Sequence, residues 1–326
     1  MVEGSVCAVI PTWNRSDLVG NILENLKRQT QPVSETIVVD NGSEDDTLEV
    51  IRALGARAIK LASNQGFAKA VNAGIAASEA EWVLVLNNDV ELDPQWLEYS
   101  LKAANDERAS LVVGKLLRAT HAGRIDGAWD LVAASGCAWR CGWNLPDGDI
   151  WDQRRNVQIA PLTACLINRR VFDRVGLLDA EFESYYEDVD FGLRFALAGF
   201  TGIYEPKACA VHLGSATLGS SKTTYFVSRN QVLLATKFGL GKLSLSRVLV
   251  GQALFLLTTI RQRNFVAALR GKWDGARLVR RLPKNSAPPA RLQSLLRDHE
   301  MQIRDLQSHF GWDFSWRIYF AVLGCG

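Results

Sequence analysis

Polar side chains close an apolar segment in the stretch WVLVLNNDVELDP, residues 82–94. Its five apolar residues predict a buried strand, and Asn87, Asn88 and Asp89 stand where that strand ends. Residues of these types often only cap a loop. Their side-chain oxygen atoms are also the kind of ligand that divalent cations such as Mg²⁺ prefer. The stretch therefore predicts part of a binding site, provided that other strands end in the same way.

A second acidic cluster lies in FESYYEDVDFGLRFALAGF, residues 182–200, where Glu187, Asp188 and Asp190 stand at the start of a predicted helix. The helix dipole favours acids in a first turn, which accounts for one or two of these carboxylates but not for three. Neighbouring carboxylates raise one another's pKa, which suits a general base. We therefore interpret this cluster as a candidate proton acceptor.

His212 ends another apolar segment, ACAVHLGSAT, residues 208–217. A lone histidine is more often structural than a ligand. An aspartate and a histidine from two strand ends, however, can hold a divalent cation together with a diphosphate. Asp89 and His212 are therefore a candidate pair of metal ligands.

The elements that would position these residues alternate regularly over the first 90 residues. Apolar segments predict strands at 6–10, 36–40, 56–62 and 82–86, and helical patterns predict helices at 16–29, 44–54 and 66–78. This order predicts a parallel sheet with ligands bound beyond the carboxyl ends of its strands. The polar segments PTWNR, DNGS and NNDV follow strands one, two and four, and NQG opens the third helix. No G-x-G-x-x-G follows the first strand, which argues against a dinucleotide-dependent oxidoreductase.

Composition and charge limit the remaining possibilities. The chain has 326 residues, 48% of them hydrophobic, so a sizeable core is expected. Residues 240–326 hold 14 Lys/Arg against 5 Asp/Glu, whereas the remainder holds 23 against 30. The six cysteines form no paired framework and no zinc pattern, and no signal-peptide pattern opens the sequence. We therefore expect a cytoplasmic setting, and the acidic front of the chain argues against nucleic-acid binding.

Together these motifs resemble the family 2 glycosyltransferases of the GT-A fold, and within them the bacterial rhamnosyltransferase-like branch that builds cell-surface polysaccharides. The resemblance covers roughly residues 5–235 and rests on a set of motifs in the family's order: IPTWNR, VVDNGSEDDT, NQGFAKAVNAG, LVLNNDVELDP, YYEDVDFGLRFALAGF, AVHLGSAT and the Arg-Asn pair at 229–230. It implies an α/β fold with a Rossmann-like, mainly parallel mixed sheet flanked by helices. We expect residues 1–239 to form the catalytic domain and residues 240–326 a basic helical appendage.

The resemblance also implies a role for each motif. Asp188, with Glu187 beside it, would be the catalytic base, and Asp89 and His212 would bind Mg²⁺ or Mn²⁺. The nucleotide sugar would meet residues of four segments: Pro11, Thr12, Arg15, Asp40, Asn64, Gly66, Asn87 and Asn88. The chain departs from the D-x-D form of the metal motif, because Asn87 occupies its first position. An amide coordinates a cation less strongly than a carboxylate does, so the diphosphate would have to supply part of the charge.

The implied reaction is an inverting transfer of a sugar to a hydroxyl group of a glycan or lipid-linked glycan. Among donors the resemblance favours dTDP-rhamnose, while a UDP-sugar remains open because Asp40 would serve uracil and thymine alike. The alternative is a non-catalytic nucleotide- or glycan-binding module on the same fold. Such a module need not retain Asp188, Asp89 and His212.

Two segments allow two interpretations each. Trp129, Trp139, Trp143 and Trp151 lie in a loop-rich region and either shape an acceptor pocket or pack in the core. In the tail, the apolar segment 248–260 is 13 residues long, too short to span a bilayer, which takes about 20 residues. With arginines at both ends it fits a peripheral contact with the inner face of the plasma membrane. A helical subdomain packed on the rest of the chain fits it equally well.

Overall fold

A computed structural model of the chain describes residues 4–214, 220–282 and 288–324. The strands of these residues are β1 Val6–Thr12, β2 Glu35–Asp40, β3 Arg57–Lys60, β4 Trp82–Leu86, β5 Val90–Leu92, β6 Leu111–Arg118, β7 Ile125–Gly127, β8 Asp130–Val132, β9 Ala138–Arg140, β10 Arg155–Val157, β11 Ala164–Asn168 and β12 Gly202–His212. The helices are α1 Ser16–Lys27, α2 Thr47–Ala53, α3 Phe67–Ala76, α4 Trp96–Asp106, α5 Arg169–Val175, α6 Glu187–Leu197, α7 Ser220–Lys237, α8 Leu240–Leu243, α9 Leu245–Arg261, α10 Phe265–Leu278, α11 Pro289–Phe310 and α12 Phe314–Leu323.

The predicted strands and helices of the first 90 residues are confirmed, and their strands form one half of a mixed sheet. The sheet has the order β10-β12-β6-β11-β4-β1-β2-β3, with β5 paired to β12 and β7 paired to β6. Strands β3, β2, β1 and β4 run parallel to one another, and β6 runs parallel to β12. Strand β11 lies antiparallel between β4 and β6. The carboxyl ends of β1, β2 and β4 therefore share one edge of the sheet.

Alternation along β1 explains why helices cover both faces of the sheet. Val6, Ala8 and Ile10 join a core cluster with the buried face of α1, including Ile22. Val9 points the other way, and a Cβ atom on Gly74 of α3 would lie 2.3 Å from its Cγ1 atom. Because side chains of a strand alternate between faces, a continuous apolar strand must be covered on both sides.

Two of the four tryptophans in the loop-rich region belong to the core. Trp129 and Trp151 are buried, and the Trp129 ring lies 5.6 Å from that of Trp151 and 5.3 Å from that of Tyr204. Trp143 is 52% exposed, with the Arg118 guanidinium 4.5 Å from its ring centre. The packing interpretation is therefore confirmed for Trp129 and Trp151.

The chain divides into two compact units whose bounds do not follow the sequence continuously. The first holds residues 1–129, 140–183 and 191–215, and the second holds residues 130–139, 184–190 and 216–326. The second unit is mainly helical. Gly271 and Gly275 of α10 let that helix approach α7 closely, because added Cβ atoms would lie 2.4 Å from the Tyr225 carbonyl oxygen and 2.7 Å from that of Arg229. The functional division of the chain at residue 239 stays a prediction.

No described helix has both the length and the apolar character that crossing a membrane requires.

Candidate active site

The loops after β1 and β2 are tied together at the carboxyl edge of the first unit. The Asn14 backbone N–H donates to Ser43 Oγ over 2.8 Å, and the Arg15 backbone N–H donates to Thr47 Oγ1 over 3.3 Å. The Arg15 guanidinium holds both carboxylate oxygens of Asp17, at 3.0 and 3.1 Å. Pro11 is half-buried one residue before the end of β1. The PTWNR segment thus presents an ordered rim beside the β2 loop.

Asp40 ends β2 and is completely buried. One carboxylate oxygen, Oδ1, accepts the backbone N–H of Ser43 over 2.8 Å. The other, Oδ2, has no hydrogen-bond partner among the described residues. A buried acceptor without a donor is costly, so a bound group carrying an N–H would find a prepared partner here.

A network of side-chain amides joins the end of β2 to the turn before α3. Asn41 Nδ2 donates to Asn64 Oδ1 over 3.1 Å and to the Gly66 carbonyl oxygen over 3.2 Å. Asn64 Oδ1 also accepts the backbone N–H of Gly66 over 3.0 Å. Gly66 has φ of 87°, and a Cβ atom there would lie 2.9 Å from the Glu183 carbonyl oxygen. Our sequence analysis missed Asn41, although its place in DNGS directly after a buried strand was a usable signal.

The strand ends of β1 and β4 meet through two predicted residues. Asn88 Nδ2 donates to Thr12 Oγ1 over 2.9 Å, and both side chains are at least half-buried. The Asn87 backbone N–H donates to the Thr163 carbonyl oxygen over 2.8 Å, which fixes the direction in which the chain leaves β4. The same edge of the sheet therefore holds six of the predicted nucleotide-site residues: Thr12, Asp40, Asn64, Gly66, Asn87 and Asn88.

Sheet register brings Asp89 and His212 together. Strand β5 pairs antiparallel with β12 so that Val90 stands opposite His212, and the Leu213 backbone N–H donates to the Asp89 carbonyl oxygen over 2.9 Å. As a result His212 Nε2 lies 3.3 Å from Asp89 Oδ2. The described part of the AVHLGSAT motif ends at Gly214, and residues 215–217 lie outside the described residues.

Asp126 is a further carboxylate of this cluster that the sequence analysis missed. It lies on the short strand β7, and its Oδ2 is 2.9 Å from His212 Nδ1. Burial opposes the charged imidazolium, but the hydrogen bonds to Asp126 and Asp89 outweigh this effect and raise the pKa of His212 to about 9. No residue pattern marked Asp126, because only the pairing of β7 with β6 brings it beside β12.

The residues present fit a divalent cation in part. When Nδ1 of a neutral histidine donates to a carboxylate, its Nε2 lone pair is aimed outward, which is the usual support of a metal-binding histidine, so a cation bound at His212 would displace the Nε2 proton. Neighbouring ligands of an octahedral ion with bonds of about 2.1 Å lie about 3 Å apart, close to the separation of Asp89 Oδ2 and His212 Nε2. Among the described residues, however, no group of three or more His, Cys, Asp or Glu side chains could hold a metal ion by itself. Other ligands would have to come from the substrate.

Glu187 and Asp188 belong to the second compact unit, at the start of α6. Glu187 is buried, whereas Asp188 is half-buried and its Oδ1 accepts the backbone N–H of Val189 over 2.8 Å. The predicted helix start is confirmed. The catalytic role of Asp188 stays a prediction, as do the binding and metal roles of the residues of the first unit.

Residues 7–176, just over half of the chain, match the family Glycosyl transferase family 2. The chain belongs to this family. The predicted family membership is therefore confirmed, and the matched residues include the candidate nucleotide residues and Asp89.

Two curated relatives extend the similarity beyond residue 176. The chain is 30% identical over 224 residues to the O-antigen biosynthesis protein RfbC of Myxococcus xanthus, a match that covers 65% of this chain and 17% of RfbC. It is 26% identical over 251 residues to the N-acetylglucosaminyl-diphospho-decaprenol L-rhamnosyltransferase of Mycobacterium tuberculosis, covering 68% of this chain and 80% of that protein. The chain thus spans under a fifth of RfbC and most of the rhamnosyltransferase. These similarities confirm the predicted rhamnosyltransferase-like branch.

Among solved structures, the fold is similar to that of GalNAc-T7 in complex with UDP, GalNAc and Mn²⁺. The TM-score is 0.65 at 12% identity, over 94% of this chain and 58% of that chain. An identity this low carries information on the fold alone. The fold is GT-A, as predicted: a mixed, mainly parallel sheet with flanking helices, followed by further helices.

Proposed function

We propose that this chain is an inverting glycosyltransferase that uses the carboxyl edge of its sheet to bind a nucleotide-diphosphate sugar. One observation carries the proposal. Asp89 Oδ2 lies 3.3 Å from His212 Nε2, with Asp126 holding the other ring nitrogen. Family membership and the buried Oδ2 of Asp40, which has no hydrogen-bond partner in the described part of the chain, support the same proposal, because an imide N–H of uracil or thymine would satisfy that oxygen.

In the proposed reaction an acceptor hydroxyl oxygen attacks the anomeric carbon from the side opposite the diphosphate. A new carbon–oxygen bond forms as the bond to the diphosphate breaks, and the electron pair of that bond leaves with the nucleotide. Asp188 takes the hydroxyl proton as the new bond forms. A positioned base of this kind contributes about 10²- to 10⁴-fold in rate. Asp188 suits the role because it stands at a helix start and is only half-buried, so a solvent-borne acceptor could reach it.

Asp89 and His212 would hold Mg²⁺ or Mn²⁺, and Asp126 would fix the histidine ring. When bound, the ion would neutralise charge on the departing phosphate oxygens. Asn87 contributes no charge to this set, so we expect weak cation binding to the free protein and stronger binding with the nucleotide diphosphate.

For the substrates we propose dTDP-rhamnose as donor and a lipid-linked N-acetylglucosaminyl diphosphate as acceptor, in the synthesis of a cell-surface polysaccharide. The support is the similarity to a rhamnosyltransferase with this acceptor in its name and to an O-antigen biosynthesis protein. A UDP-sugar is the second donor to test, since Asp40 would accept the N–H of either base.

The test is release of nucleotide diphosphate from a panel of dTDP-, UDP- and GDP-sugars, with Mn²⁺ and a short-chain N-acetylglucosaminyl-diphospho-prenol. We expect release from one donor only. Asp188→Asn should lower turnover by about 10²- to 10⁴-fold and leave nucleotide binding in calorimetry unchanged. Asp298→Asn, at an exposed aspartate of α11, is the matched control and should keep full turnover.

Two results would contradict the proposal. Wild-type turnover in Asp188→Asn would remove Asp188 as the base. Nucleotide binding without diphosphate release from any donor would favour the non-catalytic binding module. In the same calorimetry, Asp89→Ala should weaken nucleotide binding in the presence of Mn²⁺, and an unchanged affinity would remove Asp89 from the site.

We also propose that α9 and α10 contact a membrane surface. These helices carry seven of the large apolar side chains that are exposed: Leu245, Leu249, Leu257, Ile260, Val266, Leu269 and Trp273. The exposed charged residues of 242–280 are all basic: Lys242, Arg261, Arg263, Arg270, Arg277 and Arg280. Exposed apolar side chains interspersed with exposed basic ones match the interface of an anionic bilayer. Asp274, the acidic residue of α10, is half-buried and already lies 3.9 Å from Arg270 Nε, so the same helices of a second copy would offer these arginines little opposite charge.

Flotation with vesicles of phosphatidylcholine, alone or mixed with phosphatidylglycerol, tests this contact. We expect binding to the anionic vesicles that Leu249→Glu combined with Trp273→Glu abolishes. Met301→Glu, at a half-exposed apolar residue of α11, should bind normally. Equal binding of the double variant, or dimerisation in gel filtration that the double variant removes, would overturn the proposed membrane contact.

A further inference from the structure

The segment just before α6 adopts an unfavourable backbone conformation. Tyr185 and Tyr186 have φ of 65° and 71°, in the left-handed region that residues with a Cβ atom rarely occupy. Asp188 follows two residues later, in the first turn of α6. A strained segment persists only when its surroundings hold it in place, and this one leads directly into the helical turn that carries Asp188.

Asn230 of α7 holds the backbone of this segment. Its side-chain Nδ2 donates to the carbonyl oxygens of Ser184, over 2.9 Å, and Tyr185, over 2.6 Å. Arg229 Nε donates to Asn230 Oδ1 over 2.9 Å. Because a guanidinium can only donate, this contact fixes which end of the Asn230 amide faces the two carbonyl groups. Both Arg229 and Asn230 are buried.

The side-chain amide of Gln231 contacts the Tyr186 hydroxyl group, and its orientation too is fixed by a neighbouring cation. The Tyr186 hydroxyl oxygen accepts the Gln231 Nε2 group over 3.1 Å and the Ala138 backbone N–H over 2.9 Å. Lys272 Nζ donates to Gln231 Oε1 over 2.6 Å. Burial raises the pKa of the Tyr186 phenol, so the ring stays neutral and the hydroxyl remains an acceptor of these bonds.

Lys237, near the end of α7, secures the first turn of α6 itself. Its Nζ atom lies 2.7 Å from Asp190 Oδ1, and both side chains are almost fully buried. The Asp190 backbone N–H in turn donates to the Tyr186 carbonyl oxygen over 2.9 Å, which closes the first turn. Three side chains of α7 therefore contact successive parts of residues 184–190. Asn230 contacts the backbone, Gln231 the Tyr186 hydroxyl group and Lys237 the Asp190 carboxylate.

We propose that Arg229, Asn230, Gln231 and Lys237, here called the α7 clamp, are positioning residues that aim Asp188 at the acceptor hydroxyl. This inference rests on the proposed role of Asp188 as the base. The Arg-Asn pair at 229–230, which is part of the family resemblance, thereby acquires a role. The clamp touches no reacting atom. It acts by stabilising the left-handed conformation of Tyr185 and Tyr186.

Asn230→Ala removes both carbonyl contacts. We expect turnover with dTDP-rhamnose and the prenol acceptor to fall about 10²-fold with the donor KM unchanged, since a small displacement of a catalytic group costs that much. Hydrogen exchange of the backbone amides of 184–190 should become faster. Ser228→Ala is the matched control, because its hydroxyl donates to the Ala268 carbonyl oxygen over 2.8 Å and thus also ties buried α7 to a neighbour. It should lower the melting temperature without changing turnover.

A second-site change distinguishes positioning from simple destabilisation. Glycine occupies positive φ without strain, so Tyr185→Gly in the Asn230→Ala background should recover about tenfold of the lost turnover. Tyr186→Phe, a milder change, should lower turnover about tenfold and lower the melting temperature less than Asn230→Ala does. Should Asn230→Ala fold poorly, Tyr186→Phe and its hydrogen exchange provide the same test.

The outcomes separate this inference from the proposed function. If Asp188→Asn lowers turnover while Asn230→Ala and Tyr186→Phe retain it, the clamp is structural only and the transferase proposal stands. If Asp188→Asn retains turnover, the base assignment has failed and the clamp positions nothing. In the Asp188→Asn background, Asn230→Ala should cause no further loss, because both changes act through the same carboxylate.

Discussion

In the first compact unit, Asp89, His212 and Asp126 are brought together by strand register, with β5 and β7 pairing to β12 and β6. In the second unit, the segment before α6 is held instead by side chains of α7, which contact its carbonyl groups, its tyrosine ring and its first helical turn. A site built on backbone pairing tolerates the loss of one side chain. A segment built on buried side-chain contacts does not. We therefore expect substitutions in the first unit to change ligand affinity mainly, and substitutions of the buried α7 contacts in the second unit to change stability as well as turnover.

The largest expected effect is that of Lys237→Met, which removes the ammonium group of the buried ion pair with Asp190. Breaking a buried ion pair costs about 3–5 kcal/mol in free energy of unfolding, measurable by urea denaturation. Replacing Asp190 by Asn in the same chain should recover most of this loss. Arg57→Met is the control in the first unit, because the Arg57–Glu35 pair is largely exposed and worth under about 1 kcal/mol. Equal losses in free energy of unfolding for Lys237→Met and Arg57→Met would contradict the expected difference between the two units.

A second expected effect concerns His299, a completely buried residue of α11. Burial lowers the pKa of His299 to about 4 from an ordinary value of 6.5. The unfolded chain therefore binds a proton between these values that the folded chain does not, and stability falls as pH falls from 6.5 to 4. The loss relative to His299→Gln should reach about 3 kcal/mol at pH 4 in denaturant titrations. His121→Gln, at an exposed histidine, should show no such difference.

A smaller effect on free energy, but a specific one, is expected for Asp126→Asn in the first unit. Loss of the charge behind a metal-binding histidine typically lowers metal affinity about 10- to 100-fold. Calorimetry with Mn²⁺ and the nucleotide diphosphate should show this decrease, while the melting temperature changes little. Asp93→Asn, at an exposed aspartate beyond β5, serves as control. An unchanged affinity for Mn²⁺ would mean that Asp126 does not support a metal site.

The smallest effect is expected for Thr12→Val, which keeps the side-chain shape but removes the acceptor of the Asn88 amide. A single hydrogen bond of this kind contributes about 1 kcal/mol, which corresponds to roughly fivefold weaker nucleotide binding. Thr30→Val, where the hydroxyl contacts Glu98 on the exposed surface, should leave binding unchanged. A loss of stability in Thr12→Val without weaker binding would again contradict the comparison.

Much of the first unit could be predicted from the residues. Strands β1, β2 and β4 are short apolar segments that end in polar clusters, and parallel strands place those ends on one edge. Asp40, Asn64, Thr12 and Asn88 could therefore be selected together. Asp126 could not, because β7 is three residues long and its pairing with β6 depends on contacts between distant segments.

The sequence by itself determined the family, the alternating order of strands and helices, and the residue types of the candidate site. These are local properties, since apolar periodicity and motif spacing are read within a few residues. Only the tertiary structure decided that His212 is paired with Asp126 as well as Asp89, that Arg229 and Asn230 hold the segment before α6, and that Lys237 pairs with Asp190 in the first turn of α6. Hydrogen bonds and ion pairs of this kind join residues far apart in the chain. Their geometry depends on sheet register and helix packing, which no local pattern specifies.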